Sequence, residues 1–227
     1  MPATSPALRP AALARCVPFV TFMALLALRG YLPVGLGLDA RWIYGGQTLI
    51  VAGLLAAYWR SYGELVRQNL PDTREAGGAV VVGIAVFALW VRLDDPWMQL
   101  GEATASFVPV DADGRLNWPL VALRVAGATL VVPVMEELFW RSFLMRWVQH
   151  PVFERVDPQT VGLRAVVTST FVFTLAHTLW LAAAIAGLAY AWLYRRTGKL
   201  WTAVIAHAVT NGLLGIWVIA TGRWEFW

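Results

Sequence analysis

Long apolar stretches separated by short charged loops are the feature that most constrains the fold of this chain. Of its 227 residues, 59% are hydrophobic and 14% are charged, whereas a soluble domain needs a larger charged share to cover its surface. The apolar residues occur in stretches of roughly 16 to 22, about the length that a helix needs to cross a hydrocarbon core. The sequence therefore predicts an all-α, polytopic membrane protein.

The hydropathy pattern predicts about seven transmembrane helices, within a range of six to eight, and tryptophans near several span ends fit rings at the headgroup level. We expect one domain, which consists of a flexible tail (1–10), amino-terminal helices with an outer loop (11–117) and a carboxyl-terminal core (118–220). The predicted spans are approximately 11–29, 42–59, 77–93, 118–140, 161–177, 180–194 and 200–220.

The distribution of arginine and lysine predicts the orientation, because cytoplasmic loops carry an excess of these residues. The segments 60–76, 141–160 and 195–199 are basic, whereas 94–117 is mainly acidic. The amino terminus is therefore expected inside and the carboxyl terminus outside. The formal net charge of +4 forms no soluble basic patch, so we expect the lipid bilayer and no nucleic acid as a partner. A single cysteine, Cys16, excludes an intrachain disulfide and four-cysteine zinc sites.

Two adjacent carboxylates end the fourth predicted span. An ionisable side chain within a membrane is costly and suggests a function with a partner. Glu137 and Arg141 are four residues apart, so they can pair on one face of a helix. Glu136 points about 100° away and stays unpaired, as suits a general base in an apolar setting. The alternative is an interfacial charge cluster that ends the span.

Polar residues also occur in two later spans. His207 and Asn211 share one helical face, and His177 closes the fifth span four residues after Phe173. Each alone has a structural explanation, such as a histidine bonded to a backbone carbonyl or an asparagine that bridges helices. Together with the acidic pair in one small bundle, they favour a polar intramembrane cavity with a catalytic function.

Two mechanisms fit this set of residues. In the first, which needs no cofactor, Glu136 deprotonates a water that a histidine orients, while Asn211 and the other histidine stabilise the oxyanion. In the second, His177, His207 and a carboxylate bind zinc, which lowers the pKa of the bound water. The absence of a His-Glu-x-x-His sequence removes the commonest zinc-peptidase motif, yet ligands from separate helices remain possible.

The ordered motifs resemble those of the CAAX-protease and bacteriocin-processing membrane peptidases, which include the type II CAAX prenyl endopeptidases. The resemblance covers about residues 118 to 215, and more loosely suggests the bacterial branch linked to exosortase and PEP-CTERM protein sorting. The motifs are Glu136-Glu137-Leu-Phe-Trp-Arg141, Phe173-Thr-Leu-Ala-His177 and His207-Ala-Val-Thr-Asn211.

This resemblance implies an intramembrane endopeptidase of a bacterial inner (cytoplasmic) membrane, with a cavity open to the cytosol, that acts on a membrane-associated peptide or protein. By resemblance, Glu136 is the general base, His177 positions water or substrate, and His207 with Asn211 binds the oxyanion. Glu137, Arg141 and Phe173 are supporting residues. No feature predicts the oligomeric state.

Two other functions compete with this reading. A non-catalytic member of the family would act as an immunity or assembly factor, and a small transporter would use the same residues as a proton relay. The transporter is disfavoured because the sequence lacks inverted repeats.

The predicted spans place two of the candidate site residues at different depths in the membrane. His177 approaches the outer leaflet, whereas Glu136 lies nearer the cytoplasmic side. Either the fourth helix continues toward 147, which we favour, or the hairpin after His177 turns inside the protein. Both solutions imply a polar cavity, because a turn at that depth must be covered by protein or by a water-filled space.

Overall fold

The fold is a bundle of helices, seen in a computed structural model that describes residues 10–28, 39, 41–101 and 107–227. Residues 1–9 of the predicted tail lie outside this range. The described residues form seven helices and no strand, which confirms the all-α membrane bundle. They are α1 (Pro10–Leu28), α2 (Arg41–Ala57), α3 (Thr73–Trp90), α4 (Trp118–Gln149), α5 (Leu163–Leu175), α6 (Trp180–Thr197) and α7 (Leu200–Thr221).

Each predicted span coincides with one of these helices. Four of them (α1, α3, α4 and α7) are long and apolar enough to cross a membrane, and α5 is a shorter apolar helix. Helix α3 begins four residues earlier than predicted because Asp72 caps it. The Asp72 carboxylate accepts hydrogen bonds from the backbone N–H groups of Arg74 and Glu75. In return, the Glu75 carboxylate accepts a hydrogen bond from the backbone N–H of Asp72. This capping box satisfies N–H groups that a helix start leaves unpaired.

Helix α4 differs most from its prediction, because it continues past 140 to Gln149. The predicted basic loop at 141–160 was therefore wrong in its first nine residues. Hydropathy places a span end at Arg141 and Arg146, but both guanidiniums find buried partners within the protein. Arg141 pairs with Glu137, and Arg146 donates to the carboxylate of Glu64. The favoured solution to the depth conflict, a longer fourth helix, is confirmed.

The two ends of the bundle differ in charge. At the arginine-rich end, which comprises 58–72, 150–162 and 195–199, Glu64 pairs with Arg15 and Arg146, and Lys199 pairs with Glu75. The acidic end comprises 91–101, 107–117 and 222–227, with four aspartates in the first two segments. Because consecutive helices alternate in direction, loops of one charge type gather at one end.

Small residues bring the helices close around the centrally placed α7. A Cβ atom on Gly83 of α3 would lie 2.5 Å from the carbonyl oxygen of Ala206 in α7. Such close contact between helix backbones is typical of membrane bundles. Helices in lipid associate through close packing rather than through the hydrophobic effect, and small residues allow that packing. It also holds Thr210, whose hydroxyl lies 3.0 Å from the carbonyl oxygen of Gly83, in a fixed position.

Candidate active site

One cavity brings together the four residues predicted to be catalytic. It has a volume of about 290 Å³, and its walls include Glu136 from α4, His177 from the turn after α5, and His207 and Asn211 from α7. These residues are up to 75 positions apart (211 minus 136), so tertiary packing alone assembles them. Other wall residues extend toward the acidic end: Leu26, Trp90, Arg124, Phe226 and Trp227.

Glu137 lies behind the cavity rather than on its wall, and its side chain is fully buried. Its Oε1 accepts a hydrogen bond from Arg141 Nη1 at 3.1 Å, which is the predicted i,i+4 pair. The same oxygen lies 2.8 Å from Nδ1 of His207, a contact that the sequence did not predict. Glu137 therefore ties α4 to α7.

Glu136 has the opposite environment. Its Oε2 is buried and has no hydrogen-bond partner in the described protein, although the side chain lines the cavity. A buried carboxylate oxygen without a partner is costly, and native proteins keep few such groups. Because the side chain lines the cavity and makes no ion pair with a described residue, its carboxylate is free to interact with a water or a substrate there.

His177 is held by the end of α5. The helix ends at Leu175, two residues earlier than the predicted span, and the His177 ring packs between Phe173 and Trp90, with centroid distances of 4.3 and 5.8 Å. Its Nδ1 lies 2.8 Å from the backbone oxygen of Phe173. Because a carbonyl oxygen only accepts, Nδ1 carries the proton. In the neutral ring, Nε2 is then a hydrogen-bond acceptor.

His207 is fixed on both sides. Its ring stacks on Tyr190, with centroids 5.1 Å apart and an angle of 19° between the planes. Tyr190 in turn donates a hydrogen bond to Thr210 at 2.8 Å. Because Nδ1 donates to the Glu137 carboxylate, Nε2 carries a proton only in the imidazolium form. His207 thus has a carboxylate partner and a rigid ring position.

Asn211 is oriented by an irregularity in α4. Residues Gly127–Val131 are π-helical, and the Val132 N–H donates to Gly127 O instead of to Ala128 O. Pro133, which has no N–H, cannot serve Ala128 either. The free carbonyl oxygen of Ala128 accepts a hydrogen bond from Asn211 Nδ2 at 2.9 Å. The amide oxygen and the second amide hydrogen of Asn211 are not used in that bond.

Phe173 and Arg141 support this arrangement from behind. The guanidinium of Arg141 lies 4.5 Å from the centre of the Phe173 ring and donates to the carbonyl oxygen of Gly187 at 3.3 Å. Phe173 also packs edge-on against Trp140 at 5.6 Å. Gly187 permits this contact, since a Cβ there would lie 2.8 Å from Thr170 and 3.2 Å from Phe173.

Part of the chain also matches a known family. Residues 118–213 match the family model described as type II CAAX prenyl endopeptidase Rce1-like. This segment is therefore similar to that family. Comparisons with curated proteins and with solved structures find no match. The matched segment contains all seven residues of the three motifs, and the match supports a CAAX-protease-type hydrolase that is an integral membrane protein.

A zinc centre, the alternative mechanism, needs several protein ligands close together. Among the residues that the structure describes, no three of His, Cys, Asp and Glu lie close enough together to hold a metal ion. The Nδ1 atoms of His177 and His207 are both engaged, one with a backbone oxygen and one with Glu137, an arrangement that metal-bound histidines also adopt. Because the described residues form no group of three ligands, we derive no step through a metal.

Sequence reasoning missed several residues on the wall of the cavity. Tyr190 and Trp90 hold the two histidines and are ordinary aromatic residues in the sequence, so only the packing reveals their role. Arg124 and Tyr44 also line the cavity. Arg124 had a signal of its own, because it is an ionisable residue inside a predicted span.

Proposed function

We propose that this protein is an intramembrane endopeptidase in which Glu136 activates a water molecule without a metal cofactor. The observation that carries the proposal is the contrast between the two glutamates. Glu137 Oε1 is tied to Arg141 and His207 behind the cavity, whereas the Glu136 side chain lines the cavity and has no ion pair with any residue that the structure describes. The match of residues 118–213 to a protease family supports peptide hydrolysis as the reaction.

The proposed reaction begins with proton transfer from water to Glu136 as the water oxygen attacks a peptide carbonyl carbon. The neutral His177 ring can accept a hydrogen bond at Nε2 and so orients that water. The imidazolium of His207 and the second amide hydrogen of Asn211 stabilise the oxyanion. Glu136 then returns the proton to the leaving nitrogen as the C–N bond breaks. The products are a free carboxylate and a free amine.

The substrate in this proposal is a peptide segment that reaches the cavity from the acidic end. The wall residues Leu26 and Trp90 lie at or near the ends of α1 and α3 there, and Trp227 belongs to the same end. The positive-inside rule assigns the arginine-rich end to the cytoplasm, so the acidic end lies outside. The family resemblance implies instead that the cavity opens to the cytosol. Cysteine labelling distinguishes these two orientations.

The orientation is tested with single cysteines in a C16A background, which has no other cysteine. Asp113 at the acidic end and Glu154 at the arginine-rich end are both exposed. On intact cells, a membrane-impermeant maleimide should label D113C and leave E154C unlabelled until the cells are opened. Labelling of E154C alone would show the opposite orientation, in which the acidic end and the cavity face the cytosol.

A second candidate, a non-catalytic assembly or immunity factor, uses the same fold without bond cleavage. It is separated from the enzyme by comparing cells that express the wild type with cells that express E136Q or E136A. Proteomics of membrane protein termini should find a precursor that accumulates, with its cleaved termini absent, in both variants. Cleavage at the wild-type level by either variant would refute the role of Glu136.

Glu154→Gln is the matched control for this comparison. It makes the same chemical change at an exposed glutamate outside the cavity, so cleavage should stay at the wild-type level. The melting temperatures of E136Q and wild type in detergent should agree within a few degrees. A folded E136Q protein without cleavage would then show a loss of chemistry rather than a loss of structure.

A further inference from the structure

A second cavity lies at the arginine-rich end, between the first turns of α3 and the last turns of α6. Its volume is about 440 Å³, which is within the range of ligand-binding cavities in proteins. Gly78 of α3 lies on its wall, and a Cβ atom there would contact no described side chain or neighbouring helix within 4 Å. None of the candidate catalytic residues lines this space. The proposed reaction therefore does not account for it.

Two arginines on the wall of this cavity have no counter-ion among the described residues. Arg74 and Arg196 are exposed, and neither forms an ion pair in the part of the chain that the structure describes. Glu75, the acidic residue of the wall, pairs with Lys199 at 2.7 Å. The Asp72 carboxylate accepts the N–H groups that begin α3. These five groups together carry an excess positive charge, which favours an anionic ligand.

Apolar surface continues from the cavity toward the middle of the membrane. Trp192 is on the cavity wall, one helical turn deeper than Arg196, and its side chain is exposed. On α3, Val81 and Ile84 follow Gly78 at three-residue intervals and are also exposed. A tryptophan between basic residues and an apolar surface is typical of the level of the lipid headgroups. The cavity therefore combines cations at the membrane surface with an apolar path into the lipid.

An anionic phospholipid matches both parts of this surface. Its phosphate supplies the negative charge that Arg74 and Arg196 lack, and guanidinium groups bind phosphate oxygens through charge-assisted hydrogen bonds. Basic residues beside a membrane also attract anionic lipids over a longer range. The acyl chains would lie on the exposed apolar residues of α3 and α6. A free phosphate would use the arginines alone and would leave Trp192 and the apolar path without a role.

We propose that Arg74 and Arg196 bind the phosphate of an anionic phospholipid whose acyl chains lie along α3 and α6. Because α3 packs against α6 and each helix supplies one of the arginines, the bound lipid joins the two helices and stabilises the bundle. The lipid site is separate from the cavity that contains Glu136. The proposal therefore does not depend on the peptidase function.

Native mass spectrometry of the purified wild type in non-ionic detergent measures the binding. The probes are phosphatidylglycerol and phosphatidylcholine with the same acyl chains, which differ in net charge. We expect phosphatidylglycerol to bind about tenfold more tightly, as a charge-assisted hydrogen bond would give, and to raise the melting temperature. Equal affinity for the two lipids would overturn the proposal. Displacement of the lipid by millimolar inorganic phosphate would also overturn it, because the ligand would then be a free anion.

Paired arginine variants assign the preference to this cavity. R74Q/R196Q should abolish both the preference for phosphatidylglycerol and the rise in melting temperature. R67Q/R155Q is the matched control, since it removes the same charge from two exposed arginines at the same end that are not on the cavity wall. It should retain the preference. An equal loss in both double variants would show a general attraction to the basic end and would refute a specific site.

A glycine variant tests the cavity without changing its charge. G78L places a side chain in the open space beside α3, so it should weaken the binding of phosphatidylglycerol while both arginines remain. G53L is the matched control, because Gly53 of α2 has equally open surroundings and lies outside the cavity. Unchanged binding by G78L would show that the lipid lies elsewhere. If R74Q/R196Q fails to fold, the two glycine variants still test the site.

Discussion

Replacing Glu137 with glutamine should destabilise the protein far more than the same change at Glu136. The exposed fractions of the Glu137 and Arg141 side chains are 0% and 2%, so E137Q leaves a buried guanidinium without its counter-ion. Breaking a buried pair in this way costs about 3 to 5 kcal/mol. Arg141 keeps its contacts with Gly187 and Phe173, so we expect about 3 kcal/mol.

The matched variant E136Q removes a carboxylate that has an unpaired buried oxygen and no ion pair. Its free energy of unfolding should lie within about 1 kcal/mol of the wild type, as for a site that loses no native contact. Both values come from titration of mixed micelles with sodium dodecyl sulfate, monitored by the fluorescence of the 13 tryptophans. Equal losses in the two variants, or a larger loss in E136Q, would refute the division of roles between the glutamates.

A double-mutant cycle tests whether the loss in E137Q comes from the pair itself. R141M leaves the Glu137 carboxylate buried with His207 as its remaining partner, and E137Q/R141M removes both charges. The double variant should lose less stability than the sum of the single losses, by at least about 1 kcal/mol. Additive losses would mean that Glu137 and Arg141 act independently.

Three further predictions concern other parts of the molecule. Burial would raise the pKa of Glu64, but the guanidiniums of Arg15 and Arg146 hold it below its usual value of 4.5. The stabilisation is thus complete above pH 4.5 and is lost as pH falls through the lower folded-state pKa, so acid titration of E64Q should lack that loss. G187A should lose about 1 to 3 kcal/mol and show reduced cleavage, because its Cβ would meet Thr170 and Phe173. Cleavage should survive 1,10-phenanthroline, and complete inhibition that zinc reverses would favour the metal mechanism.

The sequence predicted the helices well because hydropathy reports directly on the solvent around each segment. The predicted span ends were wrong where charged residues pair with other residues inside the bundle. Helix α4 continues through Arg141 and Arg146 because Glu137 and Glu64 neutralise them, and no local pattern shows that Glu64, about 80 residues away, is near. Span ends drawn at charged residues are therefore unreliable when the charges are paired.

Local geometry explains which site contacts were predictable. The Glu137–Arg141 pair follows from four-residue spacing on a helix. His207 and Glu137 are 70 residues apart in sequence, so their contact depends on how α4 and α7 pack against each other. The aromatic rings around the Arg124 guanidinium likewise come from distant parts of the chain, namely Tyr44, Phe107 and Trp227. The order of the motifs indicated that these residues form one site. Their hydrogen bonds and ring contacts could be identified only from the folded structure.

Pro133 links the irregular backbone of α4 to both halves of the site. A proline in a helix interior removes one backbone hydrogen bond and is tolerated where other groups satisfy the freed carbonyl. Here the π-helical turn directs Val132 N–H to Gly127 O, and Asn211 takes the carbonyl of Ala128. Glu136 follows Pro133 by three residues, so the proline that leaves the Ala128 carbonyl to Asn211 also lies in the first turn of the short α-helical stretch Val132–Glu137, which carries the two glutamates.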